Sequence, residues 1–243
     1  MQGGLGSLTQ ALLDRLPKNL LHNKISITSI EQDSNGIIAT TDNGDTVIAS
    51  RVVLTLPLRL AAKIKFSPAL APSATEAMQN TPTWMAGQAK ALFTYDKPFW
   101  REDGLSGDAM SRSGPMIEIH DASPASGGPY ALFGFIGVPP LGRKDVPQLR
   151  DRLLAQLATL FGPQAETFRE LFVKDWAFDQ NTSTEFDLQP LRTHPMYGMP
   201  KALNDVWDNR ILFCGTEVAL QFGGYLEGAL EAAEGTYHYL QQM

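Results

Sequence analysis

The sequence predicts an α+β fold in which helices and strands are mixed but largely segregated along the chain. Three observations lead there. Residues 24–50 hold three short strand-like runs separated by Ser-Asn-Gly and Asp-Asn-Gly, tripeptides that mark hairpins because Asn and Gly tolerate positive φ. Residues 85–178 hold further runs of strand length around one long amphipathic stretch. Residues 209–240 read as a buried strand, a glycine turn and an amphipathic helix.

Taken in order, Gly3, Gly4 and Gly6 lead into a helix expected from Ser7 to about Leu16. Ser7 and Gln10 have capping-box spacing, Leu8, Ala11, Leu12 and Leu16 share one face, and Pro17 is the stop. A dinucleotide-binding reading of these glycines fails, because that fingerprint needs a strand before its first glycine and only Met1 and Gln2 stand there. Strands are expected at 24–32, 36–41 and 46–50. The run 51–56, closed by Pro57, suits a strand covered on both faces.

After a Pro- and Ala-rich stretch, residues 85–95 read as a strand. Its alternation puts Gln88, Lys90, Leu92 and Thr94 on one side and Ala89, Ala91, Phe93 and Tyr95 on the other. Strands are also expected at 116–120, with Ile117 and Ile119 on one face, at 130–138 and within 168–178. His120 beside Asp121 reads as structural or exposed rather than catalytic. Asp145 caps a helix through about Phe161 whose inner stripe is expected to be Val146, Leu149, Leu153, Leu157 and Leu160.

The last stretch carries the chemistry. Ile211 to Cys214 is an apolar run stopped by Gly215, with Thr216 and Glu217 at the strand exit. After Gly223 and Gly224, the positions Leu226, Ala229, Leu230, Ala233, Tyr237 and Leu240 fall at helical spacing, so the helix is expected to pack along that side. A glycine pair before a helix leaves its first N–H groups unobstructed at the positive end of the dipole, from Leu226 onward. An anion, or a ring that becomes anionic, is favoured there by about 0.3–2 kcal/mol.

The string GTE followed after a short spacer by GYLEGALEAAEG resembles the C-terminal flavin-binding motif of the flavin-containing amine oxidases, the monoamine and polyamine oxidase family. Gly215, Thr216, Glu217, Gly224, Tyr225, Glu227, Gly228 and Ala229 stand where that motif has them. The resemblance implies that Gly215, Thr216, Glu217, Gly224, Tyr225 and Leu226 approach the flavin, and that Tyr225 lines the substrate site. It extends backwards: Lys90, with YDKPFW following, matches the family lysine held through a water near flavin N5, a place where a cation can stabilise reduced oxygen. Trp176 and Asp179 precede the position of an aromatic residue facing the flavin, which here is Phe186. Glu185 stands where some relatives have a flavin-linking cysteine, so the implied FAD is non-covalent. The backbone near Leu21 would approach the adenine.

On this resemblance, residues 1–57 are expected to be part of an FAD-binding domain, 58–204 a substrate domain built on a mixed sheet with flanking helices, and 205–243 the C-terminal flavin-binding strand and helix. The resemblance implies that Phe186 and Tyr225 form two aromatic walls for an amine substrate, with Lys90 assisting. Complete family members begin with a strand and a GxGxxG turn for the pyrophosphate. These 243 residues hold no such segment, which implies weak flavin binding, a partner chain carrying it, or a homodimer. The alternatives are a non-catalytic binding remnant, or part of a related flavin enzyme such as a protoporphyrinogen oxidase or carotenoid desaturase.

Composition narrows the rest. A hydrophobic content of 43% with 19% charged residues is that of a globular chain with a sizeable core. The net charge of −6, with no basic stretch, argues against nucleic acid. No apolar run approaches the roughly 18 residues of a membrane span, and MQGGLG is no signal peptide. One cysteine leaves neither an internal disulfide nor a cysteine-rich metal site, and makes a cytoplasmic location the expectation.

Overall fold

The hairpin signals produce a four-stranded sheet near the start of the chain, and the alternating runs produce a separate five-stranded sheet. A computed structural model describes residues 3–34, 36–125, 127–189 and 191–243. It divides into two units, Met1–Val52 with Lys63–Leu70, and Val53–Ala62 with Ala71–Met243.

The first unit opens with α1 (Gly6–Leu13), followed by β1 (Ile27–Gln32), β2 (Ile37–Thr41) and β3 (Thr46–Ala49). Next come β4 (Val52–Leu54) and α2 (Leu58–Ala61), which continue into the second unit, before β5 (Lys65–Ser67) completes the first. Its sheet has the order β3-β2-β1-β5, antiparallel except where β5 lies parallel to β1. Ile30 and Ile37 are fully buried. Gly36 is irreplaceable at its turn, because a Cβ there would stand 2.6 Å from the Ala49 carbonyl oxygen. Its neighbour Asn35, central to the expected Ser-Asn-Gly turn, lies outside the described residues, as do Met1 and Gln2.

Three expectations for this part of the chain need correction. The first strand begins at Ile27 rather than 24, since Lys24 has φ +62° and cannot continue an extended chain. The capping box in α1 does not form: Ser7 lies inside the helix and donates to the Gly4 carbonyl at 2.7 Å. No residue of α1 is buried, so its leucine face is bare. The 51–56 run is also not covered on both faces. Among the described residues β4 pairs only with the later strand at Ile211–Phe213, which buries Leu54 and leaves Val53 38% exposed.

The second unit continues with α3 (Pro72–Asn80), β6 (Ala89–Tyr95), α4 (Phe99–Glu102), β7 (Ala109–Met110), β8 (Met116–Asp121) and β9 (Tyr130–Ile136). It ends with α5 (Val146–Phe161), β10 (Glu170–Asp175), β11 (Ile211–Phe213) and α6 (Leu226–Gln241). The sheet order is β10-β6-β9-β8-β7, and every pair in it is antiparallel. The mixed pairing expected here occurs instead in the first unit, where β5 joins β1.

The core forms on one face of this sheet. Ala89, Ala91, Phe93 and Tyr95 of β6 are buried as their alternation requires, in one cluster with Leu149, Leu153, Leu157 and Phe161 of α5. Asp145 caps α5 by accepting from the Gln148 N–H at 3.0 Å. The inner stripe is shifted from the one expected: Val146 and Leu160 are exposed, and buried Gln156 takes a place in it by bonding the backbone N–H and carbonyl of Met116. Ile117 and Ile119 do not share a face, because a bulge between Met116 and Glu118 turns Ile117 outward. The strand expected from 85 starts at Ala89, since Met85 adopts φ +64° in a turn.

Candidate active site

The strand-to-helix turn after β11 is held by side chains from within itself. Gly215 has no room for a side chain, since a Cβ would lie 2.8 Å from Glu217 Oε2 and 3.2 Å from the Leu56 carbonyl oxygen. The Thr216 hydroxyl accepts from the Gly224 N–H at 2.9 Å and donates to the Tyr225 carbonyl at 2.7 Å, closing the loop between them. The Glu231 carboxylate of α6 accepts the N–H groups of Leu220, Gln221 and Phe222 at 2.9, 3.2 and 3.1 Å. Gly224 sits at φ +83° and delivers Tyr225 to the extended N-cap position of α6, where no side chain caps the helix. Tyr225 and Leu226 are 55% and 62% exposed.

Glu217 points the other way. It is buried to 1% exposure and accepts from the Thr83 hydroxyl at 3.1 Å. Burial pushes its carboxyl above the ordinary range, the Thr83 bond pulls it down, and the charge of Asp187 adds to the rise. Its side chain therefore anchors the turn to the interior.

Phe186 lies on a single helical turn, Glu185–Asp187, with Thr184 as its cap. Asp187 accepts from the Thr184 N–H at 2.8 Å and pairs with Arg59 of α2 at 2.5 Å. Arg59 also donates to the Gln79 carbonyl at 2.8 Å, and its guanidinium carbon stands 5.7 Å from the Phe186 ring centroid. Phe186 itself is 50% exposed. Glu185, beside it, is exposed and bears no thiol.

Lys90 occupies the solvent face of β6, across from Lys174 on β10 and Phe135 on β9. Its Nζ lies 4.8 Å from the Phe135 ring and 5.6 Å from the Phe133 ring. Lys174 contacts the Trp176 ring at 4.5 Å and pairs with Asp179. The Trp176 N–H donates to the Gln88 carbonyl, two residues before Lys90, at 3.0 Å. His120 has both ring nitrogens engaged, by Asp108 at 2.9 Å and Glu118 at 2.8 Å.

The structure therefore joins Gly215, Thr216, Glu217, Gly224, Tyr225 and Leu226 in one turn. The Phe186 turn connects to it through Arg59, Thr83, Trp84 and Asp187, which together line a cavity of about 20 Å³, room for a water molecule. Leu21 belongs to the other unit, where it lines a cleft of about 380 Å³ with Leu13, Leu16 and Lys18. A cleft of about 460 Å³ beside β11 and the second half of α6 contains none of the expected site residues.

Sequence reasoning missed the ring cluster behind Tyr225. His194 stacks on Tyr225, and Trp84 and Tyr197 touch His194. The Tyr197 hydroxyl donates to the Pro82 carbonyl at 2.7 Å; burial, then the Glu217 charge, pushes its phenol up. Trp84 stands more than a hundred positions before His194, and Tyr225 thirty-one after it, so no local pattern connects them. The only local hint was the glycine pair 223–224, a place where something bulky must pass close to backbone.

The profile of the family described as flavin containing amine oxidoreductase matches residues 1–236. A protein named "Probable flavin-containing monoamine oxidase A" of Dictyostelium discoideum is 29% identical over 239 residues, 95% of this chain and 50% of the relative. An L-amino acid dehydrogenase of Synechocystis is 29% identical over 241 residues, 96% of this chain and 49% of the relative. Among solved structures, the cyclohexylamine oxidase of Brevibacterium oxydans shares the fold, with a TM-score of 0.77 at 23% identity over 99% of this chain and 53% of that one. The chain thus spans about half the length of the curated relatives it matches.

Proposed function

This chain belongs to the flavin containing amine oxidoreductase family, and from that premise we propose that it is the substrate-domain and C-terminal half of an FAD-dependent amine oxidase. In this reading residues 1–57 contribute to the FAD domain, 58–204 form the substrate domain and 205–243 supply the strand and helix at the flavin. The observation that carries the reading is the turn from β11 to α6, where an uncapped helix start, a left-handed Gly224 and an outward Tyr225 coincide.

That entry fits a flavin. The start of α6, which no side chain caps, suits the ring edge that gains negative charge. When bound, the flavin supplies the acceptor that takes a hydride from the amine carbon and later passes the electrons to dioxygen, giving hydrogen peroxide and an imine that water hydrolyses.

The chain's own residues do the rest. Tyr225 and Phe186 present two aromatic faces, which favour the positive charge that develops on the amine nitrogen. Thr216 fixes the backbone of Tyr225, and the pair of half-buried Arg59 with buried Asp187 fixes the turn of Phe186. Lys90, flanked by phenyl rings, brings a cation that favours negative charge building on oxygen. With no thiol at position 185, the cofactor is held without a covalent bond there. The substrate is a small amine, and the partner is a chain carrying a pyrophosphate-binding segment or a second copy. A cytoplasmic location accords with a single buried cysteine, Cys214.

A second reading has one observation behind it, the equal identity to a protein named L-amino acid dehydrogenase. In that reading the substrate carries a carboxylate and the final acceptor is not oxygen.

The test is the visible spectrum of the purified chain after incubation with excess FAD and desalting, followed by addition of benzylamine or leucine under nitrogen and then air. Weak retention of flavin by the chain alone is expected, with whatever is bound bleached by benzylamine and recoloured by air with peroxide released. Bleaching by leucine alone supports the second reading. A folded, loaded chain that neither compound bleaches overturns both, and a colourless folded chain overturns oxidase activity by this chain alone.

A further inference from the structure

Four rings meet at the entry of α6. The His194 imidazole lies against the Tyr225 phenol, with centroids 5.3 Å and planes 9° apart. It meets Tyr197 edge-on at 5.5 Å and 87°, and Trp84 at 4.7 Å and 58°. Its Nδ1 is 2.8 Å from the Pro195 carbonyl oxygen, which can only accept, so Nδ1 carries the proton. The imidazole is thus held on its faces, on an edge and through a hydrogen bond.

Gly224 is shaped to this cluster. A Cβ there would stand 3.2 Å from His194 Nε2, 2.9 Å from Tyr197 Cε2 and 3.0 Å from Trp84 Cβ. Thr216 fixes only the backbone of Tyr225. A half-exposed ring at an extended N-cap position has no rotamer imposed by its own backbone, so its orientation must come from a neighbour. His194 is that neighbour.

We propose that His194 is a positioning residue for the Tyr225 wall, and that it sets the width of the aromatic slot through which an amine reaches the reacting centre. The proposal rests on the reading of Tyr225 as a wall of an amine site. A ring locked by stacking presents one slot width, which admits a flat primary amine such as benzylamine and resists α-methylbenzylamine. Freed, the ring swings, and both affinity and discrimination fall. An aromatic pair of this kind is worth about three- to tenfold in an equilibrium.

Two experiments decide it, one of which needs no cofactor. Nitration of the flavin-free chain by tetranitromethane, read by peptide mass spectrometry, should proceed about three- to tenfold faster at Tyr225 in His194→Ala, the stacking partner being gone. It should be near wild type in His194→Phe, with Tyr237 as an internal control. Unchanged nitration at Tyr225 in His194→Ala overturns the proposal; if that variant does not fold, His194→Leu takes its place, and unchanged nitration there overturns the proposal equally. In the FAD-loaded protein, His194→Ala should raise KM for benzylamine and narrow its preference over α-methylbenzylamine, with kcat less affected and His194→Phe restoring both. A loss confined to kcat, or one that His194→Phe fails to rescue, also overturns it. If the loaded wild type oxidises neither amine, the amine-oxidase reading fails while the nitration result still decides the role of His194.

Discussion

At the scale of single residues, the Thr216 hydroxyl ties both ends of the loop that carries Tyr225. Thr216→Val keeps the shape and removes both bonds. It should cost about 1–2 kcal/mol, read as a shifted urea midpoint. Gly228 makes the opposite point. An alanine inside a helix ordinarily gains about 1 kcal/mol over glycine. Here its Cβ would run into the Phe222 carbonyl and stand 2.6 Å from Thr216 Oγ1. Gly228→Ala should therefore lose about 1–3 kcal/mol. Lys90 has ring faces around its charge, so Lys90→Met should leave anaerobic flavin bleaching by amine intact. It should slow reoxidation by air about tenfold or more, as stopped-flow absorbance would show. Glu217 provides a pH test. Its folded carboxyl titrates above the ordinary value of 4.5, so the native state binds the proton more tightly than the unfolded chain. Its contribution is fully present below that value and is lost as pH rises through the folded pKa. Glu217→Gln should accordingly be more stable than wild type at pH 8 and no more stable at pH 4, by thermal unfolding at the two pH values.

At the scale of elements, alternation was legible wherever one face was buried. The sides of β6 come straight from apolar residues at every second position, and the cap of α5 from an aspartate before an apolar stripe. Element ends were less legible, because Lys24 and Met85 take left-handed backbone that nothing in their side chains announces. The face of α6 was misread for a different reason. Its leucines suggested an inner side, but Leu226, Leu230 and Tyr237 are exposed and Gly228 and Ala232 are buried. Small residues let the backbone come close, and periodicity of large apolar residues cannot report that. The site divides in the same way. Its contiguous turn was readable from the residues, whereas Arg59, Trp84 and His194 are set by long-range packing. The edge of the second sheet carries its own pH dependence. Hydrogen bonds that His120 donates to the Glu118 and Asp108 carboxylates raise its pKa, so the contribution of its proton is present below the ordinary 6.5 and is lost as pH rises through the folded value. The group is exposed, so the effect is local. Amide exchange around Asp108 should, after correction for its intrinsic rate, become less protected at alkaline pH, and His120→Phe should abolish that change.

At the scale of the whole molecule, the second unit has a dense core between its sheet and α5, while α6 shows a bare leucine stripe. Among the described residues no helix is long and apolar enough to cross a membrane. An uncovered stripe of this kind marks an interaction surface. The chain alone should therefore sediment as a larger species as its concentration rises, and the double substitution Leu226→Lys, Leu230→Lys should return it to a monomer. The slender anchoring of α6, through Gly228, Ala232 and the Glu231 carboxylate, also has a consequence in time. A helix tied down by so little side-chain surface opens long before the sheet does, so its amides should exchange through a partial opening while those of β6 and β9 wait for global unfolding. The order of these two clocks makes α6 the first element to register the arrival of a partner or a cofactor.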